Sequence, residues 1–249
     1  MIDRLKLTGY SMFNKMAQME IISNNLANIS TNGFKRNKIF ENELSAKLKS
    51  YSLSQLNSKV HIPNSSAVID FSQGSLVGSN RPLDVAISGN GLFAVETPQG
   101  EVYTRDGRFT LNQEGILTTL DGYVVLGEGG PIEIELQQNS PSQIIINEKG
   151  EILIDGNVLD RLKVFSLENP QNFNKIGSNL FQLKDSTISL NPAENYTIKQ
   201  GFLEESNVNP ILEMVAMIEV SHFYQTGRKL INTQDSLLGR AVNDIGRVS

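Results

Sequence analysis

Asn209-Pro210-Ile211-Leu212-Glu213 opens the stretch that decides the fold, NPILEMVAMIEVSHFYQTGRKLINTQDSLLGRAV over residues 209–242. An Asn at the N-cap accepts hydrogen bonds from the first-turn amides, and Pro is preorganised for the first helical position. An acidic residue in the first turn suits the positive end of the helix dipole. No further Pro follows, so the pattern predicts one helix of roughly 33 residues and about 50 Å. Met217, Tyr224, Ile231, Leu238 and Ile245 recur at every seventh position, flanked by Phe223, Leu230 and Leu237. Two adjacent apolar columns give a face broad enough to meet more than one neighbouring helix. Gly227 and Gly239 each weaken a helix by about 1 kcal/mol relative to Ala, and close packing is the expected compensation.

The other end of the chain carries a similar stripe. Leu5, Met12, Met19 and Leu26 recur every seventh residue, with Ile2, Gly9, Met16 and Ser23 as the interleaved column and Phe13 and Ile22 widening the face. This predicts an N-terminal helix that packs on other helices. Asn28-Ile29-Ser30-Thr31-Asn32-Gly33 stops it, because short polar side chains compete for backbone hydrogen bonds and Gly accepts positive φ.

Between the two stripes the period changes. Residues 45–66 are Ser-rich with weak periodicity and are expected to form a connector. From Ala67 to Gln200 short apolar runs alternate with turn signals: Leu83-Asp84-Val85-Ala86-Ile87, Gly91-Leu92-Phe93-Ala94-Val95 and Ile132-Glu133-Ile134-Glu135-Leu136 are separated by Gly89-Asn90-Gly91, Asp106-Gly107, Asp121-Gly122 and Gly127-Glu128-Gly129-Gly130-Pro131. These are hairpin signatures. A faint repeat sets Asn112-Gln113-Glu114-Gly115 beside Asn147-Glu148-Lys149-Gly150, each followed by an Ile-Leu pair and an Asp-Gly turn. The expected fold class is α+β, with long N- and C-terminal helices pairing in a coiled-coil-like bundle and a mainly antiparallel β-rich middle. The expected divisions are 1–44, 45–66, 67–200 and 201–249.

Composition narrows the function. The 249 residues are 39% hydrophobic and 20% charged, with a formal net charge of -5 and no cysteine. No basic block favours nucleic acid, and neither a disulfide nor a Cys-ligated zinc can form. Polar residues interrupt the N-terminus too often for a secretory signal, and no apolar run is long enough to span a membrane.

The candidate chemistry is thin. His61 falls in the connector and His222 on the C-terminal helix, neither within a ligand cluster. Gly127-Glu128-Gly129-Gly130-Pro131 lacks the Lys and Ser/Thr of a phosphate-binding loop and is expected to be a turn. Asp106, Asp121 and Asp155 sit in Asp-Gly turns, where their role is local. No catalytic residue, cofactor or metal is expected. The two stripes carry more apolar length than a single helix pair buries, which predicts packing between molecules; Leu5, Met12, Met19 and Leu26 are expected to pack against Met217, Tyr224, Ile231 and Leu238, within or between chains.

Four ordered motifs add a resemblance that spans nearly the whole chain. Ile22-Ser23-Asn24-Asn25-Leu26-Ala27-Asn28 with Thr31-Asn32-Gly33-Phe34-Lys35-Arg36 resembles the N-terminal signature of the flagellar rod and hook family. Arg81-Pro82-Leu83-Asp84-Val85-Ala86-Ile87, continuing to Gly91-Leu92-Phe93, is similar to it too, as is Tyr103-Thr104-Arg105-Asp106-Gly107-Arg108-Phe109. Gly201-Phe202-Leu203-Glu204-Glu205-Ser206-Asn207-Val208-Asn209 completes the set. Phe71-Ser72-Gln73-Gly74-Ser75-Leu76 resembles proximal rod proteins most, with distal rod proteins close behind. The resemblance implies a self-assembling, non-enzymatic rod subunit, whose partners are itself, other rod proteins and the flagellar type III export apparatus. It implies export without a cleaved signal and a helical tube that transmits torque and encloses the export channel. It singles out Asn24, Asn25, Leu26, Ala27, Asn28, Gly33 and Phe34 as family residues. Two other readings remain open, a β-domain enzyme acting on glycans and a secreted coiled-coil adhesin.

Overall fold

The computed structural model describes residues 2–39, 67–134, 144–167, 169–177, 179–185 and 189–246. The expected connector at 45–66, His61 included, lies outside them. The chain divides into two compact units. One, helical, holds residues 1–27, 37–68 and 209–249; the other, β-rich, holds residues 28–36 and 69–208.

In the helical unit, helix α1 spans Ile2–Ala27 and helix α2 spans Pro210–Gly246. Asn209 caps α2 as expected, its Oδ1 accepting from the amides of Ile211 (3.0 Å) and Leu212 (3.2 Å). The helices meet antiparallel: Asn25 lies by Glu213, Lys15 Nζ stands 5.6 Å from the centre of the Phe223 ring, and Met12 lies by Gly227.

The coiled-coil-like pairing of two long helices is not what forms. The N-terminal helix is the short one, 26 residues against 37. A coiled coil needs apolar knobs in both core columns. On α2 the most buried column is instead Glu213, Val220 and Gly227, an acid, one apolar residue and a residue with no side chain. Met12 Cγ stands 3.0 Å from where a Cβ on Gly227 would be, so the close approach expected at that glycine is real, while Gly239 has nothing within 4 Å among the described residues. On α1 the interleaved column is misassigned: Gly9, Met16 and Ser23 are exposed, and Ile22 and Asn25 are buried. Heptad spacing reports which residues share a face, and here the face turned inward lies beside the one that the apolar count favours.

In the β-rich unit, a nine-stranded sheet among the described residues runs in the order Phe173–Lys175, Leu180–Leu183, Gly100–Thr104, Leu92–Thr97, Val124–Gly127, Leu117–Thr119, Phe109–Leu111; Gly130–Pro131 and Val164–Phe165 pair alongside this path. Ile144–Ile146, Glu151–Ile154 and Asn157–Arg161 form a three-stranded sheet, and Tyr196–Gln200 pairs with Val85–Gly89. The ladders of these sheets are antiparallel, as hairpin-rich sequence dictates. Two cores lie against the large sheet. One gathers Val85, Phe93, Phe109, Ile132, Leu162 and Ile198, and the other gathers Ile69, Leu92, Tyr103, Phe173 and Phe181.

The repeat corresponds to one turn made twice. Asn112 Oδ1 accepts from the amides of Glu114 and Ile116 (2.9 Å each), and Asn147 Oδ1 from those of Lys149 and Glu151 (3.0 Å each). Gly115 and Gly150 both take φ 82°. A short amide that caps its own turn, followed by a left-handed glycine, reverses a strand in three residues.

Candidate assembly surface and the buried polar cluster

The expected packing residues do not converge on a pocket. Met12, Met19, Leu26, Met217, Tyr224 and Ile231 are half-buried; Leu5 and Leu238 lie on the helices, and their side chains are outside the described set. The flanking column Phe223, Leu230 and Leu237 is exposed, as are Phe13 and Met16 on α1. The first turns of α2 expose apolar side chains along one side, with Ile211 at 69% and Leu212 at 61%, joined by Met214, Val215 and Ile218. Leaving a Leu-sized side chain in water forgoes about 1.5–3 kcal/mol. A run of such residues on one element marks an association surface.

The motif at the end of α1 turns out to be a set of clamps. Asn25, 1% exposed, accepts at Oδ1 from the Asn37 amide and donates from Nδ2 to the Asn37 carbonyl, both at 2.9 Å. This two-bond exchange holds the chain that follows against the helix. Asn24 and Ala27 are exposed and Leu26 and Asn28 half-buried; the Asn28 carbonyl and Oδ1 accept from the amide and hydroxyl of Thr31, both at 3.2 Å. Gly33 takes φ 69° with its amide on the Glu204 carbonyl at 2.7 Å, and a Cβ there would stand 2.5 Å from the Asp106 nitrogen. Only glycine fits both the backbone and the space. Phe34 is buried, with the Lys175 ammonium 3.2 Å from its ring centre.

Behind this loop lies a charged cluster that sequence reasoning missed. Glu204 accepts from Lys35 Nζ at 2.6 Å, from Arg105 Nε at 2.5 Å and from the Gly74 amide at 2.8 Å. Lys35 also donates to the Ser72 carbonyl at 2.8 Å. Arg105 goes on to the carbonyls of Ile87 (3.0 Å), Gly89 (2.7 Å) and Gly91, fixing the turn between strands Val85–Gly89 and Leu92–Thr97. Burial holds the Lys35 ammonium below the usual lysine range, with Glu204 opposing the shift. The partners are 169 and 99 residues apart in sequence, so no local pattern announces them.

Asp106 pairs with Arg108 at 2.6 Å in its own turn, and Asp155 takes φ 51° beside Gly156. Among the described residues no cluster of His, Asp and Glu could hold a metal ion, and no helix is long and apolar enough to cross a membrane.

Comparison with known proteins decides the family. Residues 14–35 match the flagella basal body rod protein model, 86–154 the flagellar hook protein FlgE/F/G D1 domain, and 199–244 the flagellar basal body rod FlgEFG protein C-terminal model. The flagellar basal-body rod protein FlgG of Bacillus subtilis is 35% identical, with 93% of this chain and 95% of the relative covered. The chain belongs to the flagellar basal-body rod protein family. The rod protein FlgF of Caulobacter vibrioides is 31% identical over 93% of each chain, and FlgG of Buchnera aphidicola subsp. Acyrthosiphon pisum is 33% identical over 96% of this chain and 98% of its own. In this rod family member, the matched N-terminal segment runs from α1 through Asn25 to Gly33 and Phe34. The C-terminal match takes in Glu204 and most of α2.

Proposed function

We propose that this chain is a structural subunit of the bacterial flagellar rod, joining copies of itself and other rod proteins through the apolar surface of its terminal helices. The observation that carries the reading is the exposed run Ile211, Leu212, Val215 and Ile218 with the column Phe223, Leu230 and Leu237 on a rod-family chain. Neighbouring subunits cover that surface, with the half-buried Met12, Met19, Leu26, Met217, Tyr224 and Ile231 at its margin. Binding to the folded, associated form then adds to the stability of the helical unit by mass action. A contact between unlike patches that does not close on itself propagates as a helix of subunits, which is the geometry a tube needs. Torque transmission, enclosure of a channel, and delivery by the flagellar type III export apparatus without a cleaved signal follow from the family resemblance. Relatives named FlgG and FlgF match at 35% and 31% identity, so the proposal covers the rod and not one position along it.

The test places Leu230→Asp in cells whose only copy of the protein is the variant. Loss of the chain from purified basal bodies, with the β-rich unit still folded, is expected. Wild-type incorporation and swimming would refute the proposed surface.

A further inference from the structure

The chain passes between the units at residues 27–28, 36–37, 68–69 and 208–209. On the β-rich side, the side chain of Asn207 ties the last three of these passages together: it stands at the last one and is bonded to the other two. Its Oδ1 accepts from the Arg36 amide at 2.8 Å. Its Nδ2 donates to the Asp70 carbonyl at 2.8 Å and to Ser72, at the carbonyl (2.9 Å) and the hydroxyl (3.0 Å). Lys35 and Glu204 stand directly behind, tying the same stretches through the Ser72 carbonyl and the Gly74 amide. The residue after Arg36 is Asn37, held in the helical unit by the two-bond exchange with Asn25. Consecutive residues are thus each fixed by an asparagine of their own unit.

We infer that Asn207 is a positioning residue for mechanical load, a clasp that makes these three stretches act as one strand. The inference deepens the rod reading and rests on it for its biological meaning. Force along a single stretch would otherwise act on its own ladder, such as Phe202–Glu204 against Leu76–Gly78, and open it one bond at a time. With the clasp closed, the bonds to Arg36, Asp70 and Ser72 share the load. Asparagine suits the position because its planar amide offers an acceptor and two donors from one short side chain. Aspartate keeps the acceptor and loses both donors.

The experiment pulls the full chain between two introduced cysteines, which are unique because the protein has none of its own. Attachment at Lys38 and Ile211 loads the passages; attachment at the exposed Leu120 and Leu159 loads the β-rich unit from within. Asn207→Ala is expected to lower the rupture force roughly twofold between Lys38 and Ile211, since a shared set of bonds is lost while the ladders stay, and to leave it unchanged between Leu120 and Leu159. Ser72→Ala, which removes only a hydroxyl partner, should give a smaller loss with the same dependence on attachment. Equal losses in both geometries, or none in either, would overturn the clasp. Failure of this chain to enter rods would refute the rod reading without altering the pulling result.

Discussion

Replacing Glu204 by Gln keeps the shape of the side chain and removes the carboxylate shared by Lys35 and Arg105. The three side chains are 0%, 1% and 4% exposed, so water cannot replace the lost charge. Breaking a buried ion pair by deleting one partner costs about 3–5 kcal/mol. Gln also turns an amide N–H₂ toward one of the two cations, so the upper half of that range is expected. At about 2–4 °C per kcal/mol for a chain of this size, the β-rich unit should melt about 8–20 °C lower. Lys35→Met is the informative control. Desolvation dominates the lowered pKa of Lys35, which makes its buried ammonium a net burden, and Glu204 keeps Arg105 and the Gly74 amide. That variant should lose no more than about 1.5 kcal/mol, the net worth of an ordinary hydrogen bond. Urea titration read by near-ultraviolet circular dichroism follows this unit, because Tyr103 packs edge-on against Phe165 and Phe173 at 5.4 and 5.8 Å. Lys35→Met proving as damaging as Glu204→Gln, or Glu204→Gln costing under about 1 kcal/mol, would refute the reasoning.

Lys175 buries an ammonium that has no hydrogen-bond partner among the described residues, and desolvation lowers its pKa to about 8. The unfolded chain keeps the ordinary value near 10.5, so between these values it binds more protons, and stability should rise as pH climbs from 8 toward 10.5; the rise should vanish in Lys175→Met when both are titrated with urea at pH 7 and pH 10. Gly33→Ala and Gly122→Ala both force a left-handed alanine, a strain of about 1–2 kcal/mol. Only Gly33 also meets backbone, at 2.5 Å against nothing within 4 Å at Gly122, so thermal melting should separate them clearly. Asn209→Ala removes the cap bonds to Ile211 and Leu212 and should lower helical stability by about 1 kcal/mol, measured at 222 nm.

The turns were legible because their chemistry is local: Asn112, Asn147 and their glycines specify a reversal within five residues, and Asn209-Pro210 specifies a helix start. The inward faces of the helices were not. Met217, Tyr224 and Ile231 are evenly spaced and apolar, yet Glu213, Val220 and Gly227 lie deeper, because buried Asn25 comes within 3.5 Å of Glu213 and Met12 fills the space above Gly227. Exposure of Phe223, Leu230 and Leu237 follows from the same rotation, and apolar periodicity alone does not distinguish a face turned inward from one kept for a partner. Lys35, Arg105, Glu204 and Asn207 each lie within one of the sequence motifs, but their meeting depends on the sheet topology, to which a linear pattern is blind.

Subunit content of purified basal bodies tests the account most directly. Quantifying this protein in rods from cells carrying either the wild-type chain or Leu230→Asp should show stoichiometric wild type and no variant. A rod that is complete without the wild-type protein, or one that takes up the Leu230→Asp chain at the same level, would contradict it.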